Sequence, residues 1–231
     1  LPEGITSIGD YAFRNCASLT SNPMPSTVKV IGNHAYNGCK SLKTFTVPSS
    51  VETIGSYAFA NCTGFTSITV PKTVVTLGDY AFSGCISVNV VLSRVVGNVG
   101  SYAFADCTSL KSAVIKPVGS IGNHLFDRCT ALEEITLPYA GSSLEAVNKA
   151  DSRHNVAENL FNSKVSDKTY GIYNSLNGWT RYAPDSLKKI TITGGTRIPS
   201  YAFDGFSKVT EFVLPEGITS IGDYAFRNCA S

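Results

Sequence analysis

The chain has 231 residues, of which 43% are hydrophobic and only 16% charged, below the roughly 25% charged of average soluble domains. A formal charge of +2 argues against nucleic acid or an anionic membrane as partner, and no apolar run approaches the ~18 residues of a membrane span. The sequence opens mid-motif at Leu1-Pro2-Glu3-Gly4, so a targeting signal or anchor is expected outside this segment.

From the N-terminus one phrase recurs. Ile8-Gly9-Asp10-Tyr11-Ala12-Phe13 precedes Cys16, Ile31-Gly32-Asn33-His34-Ala35-Tyr36 precedes Cys39, and Ile54-Gly55-Ser56-Tyr57-Ala58-Phe59 precedes Cys62. Versions ending at Phe82, Phe104 and Phe126 precede Cys85, Cys107 and Cys129, and Tyr224-Ala225-Phe226 precedes Cys229. The first six cysteines are separated by 23, 23, 23, 22 and 22 residues. One cysteine per structural repeat explains that spacing; a disulfide framework does not. Zinc ligands come in close pairs, so no metal site is expected. The column Cys16, Cys39, Cys62, Cys85, Cys107, Cys129 and Cys229 is read as buried free thiols, packed as small soft hydrophobes. Phe206 takes the same place after Tyr201-Ala202-Phe203.

Three residues after each cysteine an apolar residue leads into a short strand, as in Leu42, Phe45 and Val47, or Leu132, Ile135 and Leu137. Proline often follows, at Pro48, Pro71, Pro138 and Pro215, and stops the strand. The strand-leading positions Leu19, Leu42, Phe65, Val88, Leu110, Leu132, Leu187 and Val209 give about eight coils of 22–23 residues, one of them expanded. Each coil adds one strand to a parallel sheet.

The glycines at one repeat position, Gly9 to Gly122, read as a backbone turn without room for a Cβ; they match no phosphate-binding loop. His34 and His124 stand in a tyrosine column and read as flat packing residues, with no acid or nucleophile marking a catalytic site. Asn61-Cys62-Thr63 is a formal glycosylation sequon, expected to be unused because its centre is a core cysteine. Lys111–Glu133–Lys188–Thr210 and Ser112–Glu134–Lys189–Glu211 stack as two columns on the strands' solvent face. They serve either as register-fixing ladders or as a polar binding face, the first reading being favoured because paired charges anchor poorly.

The repeated phrase resembles the BspA-type leucine-rich repeat across coils 1–137 and 187–231. The resemblance implies one leucine-rich-repeat solenoid over 1–231. It further implies a secreted or surface-anchored, non-enzymatic role without cofactors, in adhesion or in binding a protein or glycan.

The period breaks at about 138–186. Asn159-Leu160-Phe161 keeps the repeat position inside that swollen coil. Asn177-Gly178 signals a tight turn and predicts a hairpin over 167–183. Tyr170, Tyr173, Trp179, Arg181 and Tyr182 are the candidate binding residues, since insertions in repeat proteins carry function and exposed aromatics and arginine anchor interfaces. The alternative is that these rings fold back over the solenoid.

Finally, residues 214–231 repeat residues 1–18 without a difference, Leu214 standing where Leu1 stood. This predicts a 213-residue superrepeat, in a longer protein or in an engineered or cut chain. End-to-end self-association, and a fibre or stalk built from tandem units, follow as the alternative function.

Overall fold

In a computed structural model the structure describes residues 1–43, 45–66, 68–86, 90–92, 97–116, 119–140, 156, 160–161, 170–174 and 180–229. Thr44, Ser67, Val88, Asn159, Asn177, Gly178 and Trp179 lie outside the described residues.

The coils stack as parallel strands in two rows. One sheet is made of two-residue strands: β1 (Ser7–Ile8), β2 (Val30–Ile31), β3 (Thr53–Ile54), β5 (Thr76–Leu77), β7 (Asn98–Val99) and β9 (Ser120–Ile121), in that spatial order. The second has the order β15-β13-β10-β8-β6-β4, from β4 (Ile68–Val70), β6 (Val90–Leu92), β8 (Ser112–Ile115), β10 (Glu134–Leu137), β13 (Lys189–Ile192) and β15 (Glu211–Val213). A short pair, β14 (Arg197–Ile198) and β16 (Ser220–Ile221), resumes the first row after the insertion.

The expectation of one strand per coil is therefore corrected to two. The Ile-Gly phrase itself supplies the additional strand, too short to show alternation. Phe45, Thr46 and Val47, predicted as a strand, form none.

Burial follows the pleat. Alternate residues of β8, Ala113 and Ile115, and of β10, Ile135 and Leu137, are buried, as one face of a strand requires. Between the two rows runs a column of rings: Phe13, Tyr36, Phe59, Phe82, Phe104 and Phe126, with successive centroids 5.0 to 5.8 Å apart. Burying each phenylalanine contributes up to ~3 kcal/mol. No coil can achieve this alone, because each ring is covered by the coil before and the coil after.

The turn joining the rows has two residues in the left-handed region per coil. The first is the aromatic column: Tyr11 (φ 59), His34 (φ 55), Tyr57 (φ 57), Tyr80 (φ 55), Tyr102 (φ 57) and His124 (φ 59). The second precedes the cysteine: Asn15, Gly38, Asn61, Gly84, Asp106 and Arg128. The second column carries mostly Gly and Asn, which tolerate that conformation. For tyrosine the conformation costs ~1–2 kcal/mol. Stacking offsets that cost: Tyr57 lies 4.7 Å from His34 and 4.6 Å from Tyr80, with ring planes within 6° of parallel. Each stacked pair contributes ~0.5–1.5 kcal/mol, and an interior ring has two neighbours.

Glycines following the two-residue strands are needed for a reason other than a left-handed turn. None of Gly32, Gly55, Gly78, Gly100 or Gly122 has positive φ, but a Cβ on Gly55 would lie 2.7 Å from the Asn33 amide nitrogen and 2.8 Å from the Gly32 carbonyl carbon. The backbones of adjacent coils touch there, and the expected turn is corrected to a close approach.

Candidate binding surfaces

The cysteine column is a row of inter-coil hydrogen bonds. Cys39 Sγ donates to Phe13 O at 3.1 Å, Cys62 to Tyr36 O at 3.1 Å, Cys85 to Phe59 O at 3.2 Å and Cys129 to Phe104 O at 3.1 Å. The same Tyr36 carbonyl also accepts the Cys39 amide at 3.1 Å, so two donors from successive coils share one oxygen. Burial pushes the Cys62 thiol up to about 12, with a smaller contribution from Cys39. Cys85 and Cys129 are raised for the same first reason, desolvation. Such thiols are poor nucleophiles and poor metal ligands near neutrality. All seven are free; Cys16 is exposed and Cys229 half-buried, because an end coil is covered on one side only. Among the described residues no group of His, Cys, Asp and Glu is arranged to hold a metal ion.

The histidines stand in the expected ring column. His34 is sandwiched between Tyr11 and Tyr57, and its Nδ1 accepts from Asn37 Nδ2 at 3.2 Å. His124 Nδ1 lies 3.1 Å from the Phe161 carbonyl.

The outer face of the longer sheet carries the two polar columns in the expected register. Glu134 is opposite Ser112 on one side and Lys189 on the other, and Lys189 is opposite Glu211. Lys111 Nζ lies 3.3 Å from Glu133, and Lys189 Nζ donates to Glu211 Oε1 at 2.6 Å. That hydrogen bond raises the Lys189 ammonium above its ordinary value. Glu133, Glu134, Lys188, Lys189, Thr210 and Glu211 line a shallow groove of about 450 Å³. Within it Lys189 is paired with Glu211, Glu133 is paired with the adjacent Lys111, and Lys188 Nζ donates to the Asp185 and Lys208 carbonyls, which fits a register ladder better than a ligand seat. A second groove of about 600 Å³ opens beside β4, where Phe45, Thr46 and Val47 fail to continue the sheet.

The insertion interrupts one row of strands and spares the other. β10 pairs with β13 directly, Glu134 opposite Lys189 and Leu137 opposite Ile192, as if the intervening residues were absent. Part of the extra chain still serves the core: Val156, Leu160 and Phe161 are buried, and the Phe126 amide donates to Leu160 O at 2.8 Å. This is the arrangement expected from Asn159-Leu160-Phe161. The rest includes β11 (Tyr170–Asn174) and β12 (Thr180–Pro184), an antiparallel hairpin in a molecule whose other described ladders are parallel. Its register sets Tyr173 opposite Arg181 and Ile172 opposite Tyr182, with Tyr170 at the open end opposite Pro184. Four of the five candidate binding residues thus share one hairpin; Trp179 lies outside the described residues.

An ion pair on a buried carboxylate was missed in the sequence. Asp204, 1% exposed, accepts from Arg227 Nε at 3.0 Å and Nη2 at 2.5 Å. The guanidinium also lies over the Tyr201 and Tyr224 rings at 5.3 and 5.0 Å. The two residues are 23 apart, one repeat, and that spacing was the available clue.

Among the described residues no helix is long and apolar enough to cross a membrane. The family described as BspA type leucine rich repeat region matches in 6 copies, over residues 1–111, 29–148 and 177–231. A leucine-rich repeat protein from Bacteroides ovatus is 27% identical, with a TM-score of 0.57, over 99% of this chain and 63% of that one. The leucine-rich repeat protein of T. pallidum is 33% identical, with a TM-score of 0.53, over 57% of this chain and 62% of that one. The chain therefore spans less than two thirds of the length of either structure. No curated protein sequence matches it.

Proposed function

The chain belongs to the BspA-type leucine-rich-repeat family, and from that premise we propose that it is a non-enzymatic binding module, secreted or held at a cell surface, that engages a protein or glycan partner through its inserted hairpin. The observation that carries this reading is that β11 and β12 pair only with each other among the described strands, within a coil whose β10–β13 register is undisturbed. The solenoid can close without the hairpin, so structural need does not account for the hairpin's Tyr170, Tyr173, Arg181 and Tyr182. Residue types of this kind dominate interface energetics, and a rigid scaffold presenting a variable loop is the usual division of labour in repeat proteins. Neither the five buried thiols nor the lysine and glutamate columns offer an activated group for catalysis.

The test is a glycan array and a panel of immobilised extracellular-matrix proteins, probed with the wild-type chain and with Tyr173→Ala/Arg181→Ala. Binding that falls at least ~10-fold in the variant, with thermal unfolding unchanged, supports the reading. A ligand bound equally well by both proteins, or no ligand on either panel, defeats it.

A second reading has its own observation. Residues 1–18 and 214–231 are identical, which supports a fibre or stalk that repeats one structural unit running from Leu1 to Val213. A coding sequence with several such units, and filaments of the protein seen by electron microscopy, would support it; a single unit and no filaments would remove it.

A further inference from the structure

We propose that the wedge between residues 45–48 and β4 is a peptide-binding site, in which an uncharged, extended segment of a partner protein lies along the free edge of β4 and pairs with the main chain of Thr69. The site lies on the solenoid body and goes beyond the hairpin reading above. It rests on a rung missing beside a ladder that is continuous from β4 to β15.

Successive residues of a strand turn their N–H and C=O to opposite edges of the sheet. The Lys116 amide donates back to Leu92 O at 3.1 Å, and the Thr193 amide back to Leu137 O at 2.9 Å. Two residues before them stand Val114 and Thr191, whose main-chain groups therefore also face the preceding coil. Register makes Thr69 their counterpart: Thr69 is opposite Val91, Val91 opposite Val114, Val114 opposite Thr136 and Thr136 opposite Thr191. The Thr69 N–H and C=O thus point at residues 45–47. No hydrogen bond among the described residues joins β4 to that segment.

The opening is local and its walls are held. In the other row the same two coils are closed: Val30 pairs with Thr53 and Ile31 with Ile54, and the Tyr36 and Gly38 amides donate to Ala58 O and Ala60 O at 2.7 and 2.8 Å. On the open side Val47 is buried, the Phe45 ring lies 4.8 Å from Phe59 and 5.2 Å from Tyr36, and Pro48 O accepts the Val51 amide at 3.0 Å. Segment 45–48 is anchored to the core while its main chain leaves the edge of β4 uncovered. The groove of about 600 Å³ results, within the ~300–1,000 Å³ of small-ligand sites.

Its lining selects the occupant. Phe45, Pro48 and Pro71 supply apolar surface, Thr46, Ser49 and Thr69 supply hydroxyls, and no lining residue carries a charge. A charged side chain would lose water there without gaining a counter-ion. The N–H and C=O that one strand residue turns outward are matched by the C=O and N–H of an extended peptide. Pro48 and Pro71 end the pairing region, so the seat takes a short strand, for which β-branched and small polar side chains are suited.

Amide hydrogen exchange read by NMR on the full-length chain tests this, with a set of capped pentapeptides of Ile, Val, Thr and Ser as probes. The Thr69 amide is expected to exchange fast in the free protein, and at least ~10-fold more slowly when saturated with the tightest peptide. The same peptide with its main-chain amides N-methylated is expected to bind at least ~10-fold more weakly. Thr69→Pro removes an amide that has no partner among the described residues, at a sheet edge where proline is tolerated. It is expected to unfold like wild type and to lose the peptide; should it fail to fold, the N-methylated peptide decides. Tyr173→Ala/Arg181→Ala is expected to bind the peptide unchanged, which separates this site from the hairpin. A Thr69 amide already protected in the free protein, a peptide set that leaves it unprotected, or equal binding of the N-methylated peptide overturns the proposal. So does loss of the peptide in the hairpin variant, or protection of Thr69 by the neutral saccharide maltohexaose in place of the peptides.

Discussion

The thiol of Cys62 lies 3.1 Å from the carbonyl oxygen of Tyr36, 26 residues earlier, an oxygen that the amide of Cys39 already occupies. Cysteine suits this column because it fills a small apolar space and still donates weakly to the next coil. Cys62→Ala keeps the backbone conformation but loses the sulfur's packing and the second donor to Tyr36 O. Urea unfolding is expected to show a loss of ~1–2 kcal/mol. A variant as stable as wild type would mean that the thiol contributes nothing beyond its volume.

The same burial governs reactivity. Folding raises the Cys62 thiol to about 12 and Cys229 to about 11, in both cases chiefly through desolvation. The neutral thiol is therefore the form the fold favours. That contribution is complete below the ordinary thiol pKa of 9.0 and is lost as pH climbs from there toward about 12. Wild type should lose stability over that alkaline window more steeply than Cys62→Ala. At neutral pH a thiol reagent should label Cys16 quickly, Cys229 slowly, and the five buried cysteines only on unfolding; rapid labelling of all seven would contradict the buried column.

Gly55→Ala addresses the close approach of the coils. Its Cβ would meet the backbone of Asn33 and Gly32 at 2.7 and 2.8 Å, and backbone cannot rotate aside. A loss of about 1–3 kcal/mol is expected, measured by the same urea titration. No loss would show that the coils separate there at little cost.

The stacked column discriminates by ring and by backbone. His34 sits at φ 55 between Tyr11 and Tyr57. His34→Tyr restores the residue found at Tyr57 and Tyr80 and should change stability by no more than ~0.5 kcal/mol. His34→Val removes both ring contacts and forces a β-branched residue into the left-handed region, with an expected loss of ~1–3 kcal/mol. Equal stabilities for the two variants would mean the ring stack is incidental.

Much of this architecture was legible because a solenoid writes its third dimension as a fixed period. Spacing alone placed Lys189 beside Glu211 and Cys62 one coil above Cys39. The two-residue strands escaped notice because an Ile preceded by one polar residue has no period to read. The left-handed tyrosines were hidden as well: tyrosine is not a residue that signals a positive φ, and only the stack, which exists once the coils are assembled, makes that conformation tolerable. Asp204 and Arg227 were readable as charges but not as a pair on a buried carboxylate, since the burial of Asp204 exists only once the coils are assembled. In the insertion, Asn177-Gly178 pointed to the hairpin, while the choice between projecting and covering rings has no sequence signature.

The alternation of Asn15, Gly38, Asn61 and Gly84 has a bearing on which coils can be removed. A Cβ at Gly38 or Gly84 would lie 2.5 Å from the Oδ1 of the asparagine one coil before. Excising the Gly38 coil alone would set the Cβ of Asn61 against the Oδ1 of Asn15, whereas excising the Gly38 and Asn61 coils together would set Gly84 there and restore the fit. Removing that doublet should therefore cost this stretch less stability than removing the Gly38 coil by itself.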